Sequence, residues 1–147
     1  MPTVVERSCG GVLWRPGAGG GVELCLIATR GGTRWQLPKG HASNGESEAE
    51  AARREVREET GCDGEVGQDL GEITFWFFAG SGAERKRIKK IVRFFLLRYV
   101  SGETSGHDAE VDDARWFPGE EAARRLTFDS ERKVAVQGLA KLARPSH

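Results

Sequence analysis

Residues 40–62 read GHASNGESEAEAARREVREETGC, and the placing of glycines, carboxylates and apolar residues in this stretch decides the fold. Ser47, with Glu50 three residues on, has the form of a capping box, in which each side chain takes up a free backbone N–H of the other residue. No Gly or Pro follows until Gly61, so the stretch predicts a single helix of about four turns. Glu55, Glu58 and Glu59 stand at i, i+3 and i+4, which puts them on one helical face where their oxygens can converge. Like charges that close cost stability unless a cation offsets them. A hard divalent ion such as Mg²⁺ does so, taking carboxylate oxygens while keeping positions free for water and substrate phosphates. Composition alone would favour a blander arrangement, a solvated face on which Arg53, Arg54 and Arg57 pair with the glutamates and nothing is bound.

Working outward, Val4 to Trp14 and Val22 to Ala28 are β-rich runs joined by the turn-forming segment Pro16 to Gly21. Arg30 to Arg34 turns the chain again, Trp35-Gln36-Leu37 is a short extended piece ended by Pro38, and Lys39 to Glu46 is expected to be a polar loop. Beyond the helix, Glu65 to Phe78, broken at Gly71, and Ile91 to Val100 read as strands, with Ala79 to Lys90 as a basic loop between them. Ala114 to Phe117 reads as a last short strand, Pro118 to Leu126 as a short helix, and Asp129 to Ala143 as a terminal helix with Val134, Leu139 and Leu142 on its apolar side. This order predicts an α/β fold, a mixed sheet packed between helices.

Gly40, Glu46, Arg54, Glu55, Val56, Glu58, Glu59, Gly61 and Cys62 match in order and spacing the signature Gly-x5-Glu-x7-Arg-Glu-U-x-Glu-Glu-x-Gly-U, where U is a bulky apolar residue. The sequence thus resembles the Nudix hydrolase family. The resemblance implies an α/β/α sandwich around a mixed sheet, formed by one domain over residues 1–147 with its signature at 40–62, and metal-dependent cleavage of a phosphoanhydride bond. Carried over position by position, it makes Glu55, Glu58 and Glu59 the metal ligands for Mg²⁺, with Mn²⁺ as a substitute. Either Glu55 or Glu58 could also be the base that activates water. Arg54 and Glu46 are expected to pair and so keep the ligands oriented. Gly40 is expected to let the backbone turn tightly, and the carbonyl of Lys39 is a further candidate ligand.

Substrate choice lies outside the signature. Trp35-Gln36-Leu37-Pro38-Lys39-Gly40-His41 is similar to the lead-in of the diadenosine polyphosphate hydrolase and diphosphoinositol phosphohydrolase branches, which makes Lys39 and His41 candidate substrate contacts. Lys90-Ile91-Val92-Arg93-Phe94-Phe95-Leu96 is similar to the strand whose lysine meets the phosphate chain in the first of these. Arg85, Lys86, Arg87, Lys89 and Lys90 put cations beside that position, and Arg87 and Lys90 are the expected contacts. Glu110, six residues before Trp116, is similar to a loop glutamate that reaches back to the metal in several relatives, as ligand or base. Phe75 to Phe78 fall where a base is stacked, with alternation turning two of the four inward; Trp76 and Phe77 are the candidates for stacking. The implied substrate is a dinucleoside polyphosphate such as diadenosine tetraphosphate. Diphosphoinositol polyphosphates and oxidised or ordinary nucleoside triphosphates are alternatives within the same chemistry, and a nucleotide-sensing module without turnover is an alternative of another class.

The bulk numbers agree with one globular unit that meets a small anion locally. Among 147 residues, 22 Lys and Arg balance 22 Asp and Glu, so no global field draws the chain to nucleic acid or membrane and neither is expected as a partner. Cys9, Cys25 and Cys62 are widely spaced and suit reduced thiols. Glu6 and Arg7 interrupt the region a secretory signal would need, and the chain is expected to be cytoplasmic, as monomer or homodimer. His107 and His147 lack metal-ligand spacing and are expected on the surface; Tyr99 is expected to pack.

Overall fold

A computed structural model describes residues 1–143; His147 lies outside the described residues. The chain order is β1 (Thr3–Pro16), β2 (Val22–Thr29), β3 (Arg34–Gln36), β4 (Lys39–His41), α1 (Glu48–Thr60), β5 (Cys62–Ala79), β6 (Lys86–Gly102), β7 (Asp113–Pro118), α2 (Gly119–Arg125) and α3 (Asp129–Ala143). The seven strands form one mixed sheet along β3-β2-β1-β6-β5, with β4 also on β1 and β7 on β2. Only β1 and β6 pair in parallel; the other ladders are antiparallel.

Alternation along the strands builds two cores from the same residues' neighbours. Val12, Leu24 and Leu96 turn to one face, where Phe94, Phe117 and Leu126 pack with Val134 and Ala135 of α3. Leu13, Cys25 and Leu97, one residue on in each strand, turn to the other and meet Val56 of α1. The result is the α/β/α sandwich that the sequence implies. Cys9, Cys25 and Cys62 are all buried free thiols, acting as small apolar groups.

The feature that positions the site is a fork. β1 pairs with β2 from Leu13 to Pro16 and with β4 from Ser8 to Gly10. β2 leaves β1 beyond Cys25 and takes β3 as its partner instead. Leu37 and Pro38 cross the opening between them, fixed by the Gly11 N–H donating to the Pro38 carbonyl at 3.1 Å. A Cβ added at Gly10 would strike Pro38 and Lys39, so this close approach requires glycine.

Three local expectations are corrected. Lys39 to His41 is a strand, because the β1 edge exposed by the fork offers it a ladder. The basic run is not all loop: β6 begins at Lys86, so Arg87, Lys89 and Lys90 lie on a strand paired to Phe78, Trp76 and Phe75. Gly71 does not end its strand but sits at φ +88 beside a bulge, where β5 gains a residue against β6 and continues. The long β5–β6 hairpin therefore projects its tip near residues 76–87.

Candidate active site

The capping box forms as expected, with the Glu50 N–H donating to Ser47 Oγ at 3.1 Å and the Ser47 N–H to Glu50 Oε1 at 2.9 Å. Gly61 closes α1 in the left-handed region at φ +82, a conformation that suits glycine. The helix ends are thus fixed by the residues that the sequence places there, and the functional face between them is held in register.

Arg54 is the hub of that face. Its Nε and Nη2 donate to the two oxygens of Glu46 at 2.7 and 3.0 Å, a bidentate pair, and Nη2 also donates to the His41 carbonyl at 2.9 Å. Nη1 reaches Glu55 Oε1 at 2.8 Å and Glu58 Oε2 at 3.2 Å. Glu46 in turn accepts the Ser43 N–H at 2.8 Å. The guanidinium and this amide hold the Glu46 carboxyl down to about 2. The loop between β4 and α1 is tied to the helix through Glu46 and Arg54, the pairing expected of them.

Glu59 faces the other way and accepts the Lys39 N–H at 2.8 Å. Burial pushes its carboxyl up to about 7, against the opposing pull of that amide and of the Lys39 charge. Glu55 is raised as well, mainly by burial. Gly40 serves a different end from the tight turn expected of it. Its φ is not positive, and a Cβ there would lie within the Glu55 carboxylate, so glycine is needed to let the strand pass over that side chain.

The convergence of Glu55, Glu58 and Glu59 is incomplete. Among the described residues no three acidic, histidine or cysteine side chains gather closely enough to hold a metal ion as they stand. Arg54 draws Glu55 and Glu58 to itself while Glu59 turns to Lys39, which is how like charges on one face lower their repulsion when an arginine is the available cation. The donor set is nonetheless one of hard oxygens, two of them on carboxyls that burial leaves poorly compensated, and that chemistry fits a divalent cation.

Beyond the carboxylates a cleft of about 500 Å³ opens between the β5–β6 hairpin, β3 and the start of α3. Lys39, Lys90, Trp76 and Phe77, all expected substrate contacts, line it together with Gln36 and Phe75. Arg30, Arg34, Phe128 and Glu131 complete the wall. Lys90 is half-buried, and its ammonium is held below the usual range by burial and then by the Lys39 charge. Phe75 packs inward against the core and edge-on to Phe128, ring centroids 6.1 Å apart. Trp76 and Phe78 are each 55% exposed and Phe77 43%, so one aromatic of the four, and not two, is drawn into the core. Arg87 leaves the cleft, its guanidinium lying 5.2 Å from the Trp76 ring and bonded to Thr3 Oγ1.

His41 is exposed, with Nε2 4.0 Å from Glu6. Glu110 is exposed, and its backbone N–H donates to Asp108 Oδ1. Asp108 is the acid of this loop that is brought to the carboxylates: its N–H donates to the Glu58 carbonyl at 3.0 Å, and its charge acts on both Glu55 and Glu59. A two-residue shift of register in a loop, invisible to spacing, separates the two. His107 is half-buried rather than on the surface, Nδ1 lying 2.8 Å from the Asp108 carbonyl. Tyr99 packs edge-on against Trp116.

The family model of the NUDIX domain matches residues 6–138. The chain belongs to the NUDIX family. It is 38% identical over 141 residues to a protein named putative mutator protein MutT4 from Mycobacterium tuberculosis, a match covering 92% of this chain and 55% of that protein. It is 34% identical over 136 residues to 8-oxo-(d)GTP phosphatase of Mycolicibacterium smegmatis, covering 87% and 39%. The chain therefore spans about half the length, or less, of these two relatives. Among solved structures, a MutT protein from Methanosarcina mazei aligns with TM-score 0.70 at 21% identity over 98% of this chain and 99% of that one. A C. elegans Ap4A hydrolase binary complex aligns with TM-score 0.59 at 23% identity over 94% and 98%. These likenesses bear on the fold alone. No helix among the described residues is long and apolar enough to cross a membrane.

The NUDIX signature is legible from spacing because its residues are local. Glu131, Phe128, Arg30 and Arg34 lie outside the signature and are brought to the cleft by α3, the turn before it, the β2–β3 turn and β3. An acid three residues before Val134, on the apolar side of the terminal helix, is the signal in the sequence that points to Glu131.

Proposed function

We propose that this NUDIX domain hydrolyses a phosphoanhydride bond in a dinucleoside polyphosphate, diadenosine tetraphosphate being the type, with a divalent cation, Mg²⁺ or Mn²⁺ in its place. The observation that carries this reading is Lys39, which belongs to both halves of the site: its amide meets Glu59 of the carboxylate face, and its side chain lines the cationic, aromatic cleft. A substrate seated in the cleft therefore has its phosphates at the carboxylates.

Glu55, Glu58 and Glu59, with the Lys39 carbonyl, would hold the ion, and Asp108 or Glu110 could join from the neighbouring loop. When bound, the ion supplies charge to neutralise phosphate oxygens and lowers the pKa of water. The chain's own contribution is orientation and proton handling. Glu46 and Arg54 fix the helix face; Glu55 or Glu58 takes the proton of the attacking water. Lys90 is the lysine proposed to meet the phosphate chain, Trp76 and Phe77 offer ring faces to a base, and His41 and Arg87, which lie outside the cleft lining, would reach substrate only beyond it.

A second reading, cleavage of an oxidised nucleoside triphosphate, is favoured by the likeness to a relative named 8-oxo-(d)GTP phosphatase. The two separate on a panel of diadenosine tetraphosphate, nucleoside triphosphates including 8-oxo-dGTP, ADP-ribose and a diphosphoinositol phosphate with Mg²⁺, products resolved by chromatography. The dinucleoside is expected to be cleaved fastest, to ATP and AMP. Faster loss of 8-oxo-dGTP would move the substrate to the second reading, and no cleavage of any member would leave a nucleotide-sensing module.

A further inference from the structure

Glu131 is a carboxylate with none of its surface exposed, in the first turns of a helix that the signature does not reach. Both its oxygens are used on one target. Oε1 accepts the Leu37 N–H at 2.9 Å, and Oε2 lies 2.6 Å from Lys39 Nζ. The Lys39 ammonium also donates to Gln36 Oε1 at 2.8 Å and to the Leu37 carbonyl at 3.3 Å. A buried charge is retained at a cost unless it is paired and hydrogen-bonded, and here pairing is complete on a three-residue segment in the fork of the sheet.

That segment is the one on which the carboxylate face depends. Leu37 and Pro38 bridge the opening between β1 and β2, and the next residues supply the Lys39 N–H to Glu59 and the bare Cα of Gly40 beneath Glu55. On the β2 side, α3 is the only helix with a side chain bonded into the segment among the described residues.

We propose that Glu131 is a positioning residue: by holding the Leu37 amide and the Lys39 ammonium, it sets the height of residues 37–40 under α1 and so the orientation of Glu55 and Glu59. The Lys39 ammonium is then principally a tether from α3, and Lys90 is the cleft lysine left to meet phosphate. This rests on the hydrolase reading for its effect on turnover, but not for its effect on the segment itself.

The test is Glu131→Gln, which keeps shape and an acceptor for Leu37 while removing the charge opposite Lys39, with Glu131→Asp as the conservative control. Amide hydrogen exchange at Leu37, Lys39 and Gly40 should quicken by about tenfold or more while the centres of α1 and β6 stay unchanged, the pattern of a local opening. With the substrate that the panel selects, kcat should fall about 10- to 100-fold and KM shift by less than about threefold, the signature of misplaced groups rather than lost substrate contacts. Glu131→Asp should recover part of both. Unchanged exchange at 37–40, or unchanged kcat with a raised KM, would overturn the proposal. If Glu131→Gln leaves an ammonium buried alone and loses its fold, Glu131→Gln with Lys39→Met removes both charges, and local loosening at 37–40 is expected again; a segment as protected as in the wild type would refute the tether. Should the wild type cleave nothing, the hydrolase reading fails while the exchange comparison still decides this one.

Discussion

The two halves of the site are built on opposite plans. On α1, Glu55, Glu58, Glu59 and Arg54 are neighbours in sequence, and their relations follow from helical spacing and two caps. The cleft draws Gln36, Lys90 and Phe128 from two strands and the turn before α3, far apart in the chain, and they meet only through the packing of the sheet with α3. The residues proposed for chemistry are encoded locally, while those proposed for recognition depend on the whole fold. The α1 half should therefore respond to substitution with a loss of rate, and the cleft half with a change in which substrates are held.

The largest effect expected is at Glu58. Its side chain is almost half exposed and, among the described residues, bonded only to Arg54, so Glu58→Gln removes a charge without removing volume or a core contact. Turnover should drop by roughly 10²–10³-fold or more, the scale of losing one charge-stabilising group, while thermal stability stays within about 1 kcal/mol, since exposed pairs contribute little. Rate and substrate preference measured together would break the comparison if preference moved and rate did not.

A smaller effect is expected at Lys90. Its ammonium is half-buried and has no carboxylate within ion-pair distance among the described residues, so it is available to an anion in the cleft. Lys90→Ala should raise KM about tenfold for a tetraphosphate-bridged dinucleoside, the value of one charge-assisted hydrogen bond, and by less for a diphosphate, with kcat little changed. Equal effects on long and short substrates would remove Lys90 from the phosphate chain.

This division explains how much the sequence discloses. Strand and helix order apart from β4, the capping box and the carboxylate face follow from periodicity or fixed spacing, which a single chain displays, and the Glu46–Arg54 pair follows from the match to the family signature. The role of Gly40 does not, because it depends on Glu55 lying across a strand from another part of the sheet. The charge of Asp108 acts on Glu55 and Glu59, a proximity that spacing does not disclose, because the loop's register is set by the Glu58 carbonyl that accepts the Asp108 N–H. The contact of Glu131 with Lys39 spans 92 residues, and only the packing of α3 on the sheet closes it. The Lys86 to Lys90 run reads as a loop from its charge, yet it is a strand because cross-strand aromatics cover its cations.

The smallest effect concerns the pH dependence of the metal-free protein, and it also separates the carboxylates of the α1 half from one another. Burial lifts Glu59 from 4.5 to about 7 and lifts Glu55 in the same direction. The folded state therefore holds a proton that the unfolded chain releases near 4.5, and stability falls as pH rises from about 4.5 to 7, then levels. Glu46 has the opposite sign: lowered from 4.5 to about 2 by Arg54, it favours the fold above 4.5, and that contribution is lost as pH drops toward 2. Between pH 5 and 7.5, Tm without metal should decline by a few degrees, and Glu59→Gln, which cannot ionise, should flatten the slope while Glu46→Gln leaves it. Mg²⁺ binds the ionised form, so adding it at pH 7.5 should raise the wild-type Tm more than that of Glu59→Gln. A slope identical in wild type and Glu59→Gln would show that the Glu59 carboxyl is not held protonated by its burial, and an equal response to Mg²⁺ would take Glu59 out of the proposed ligand set.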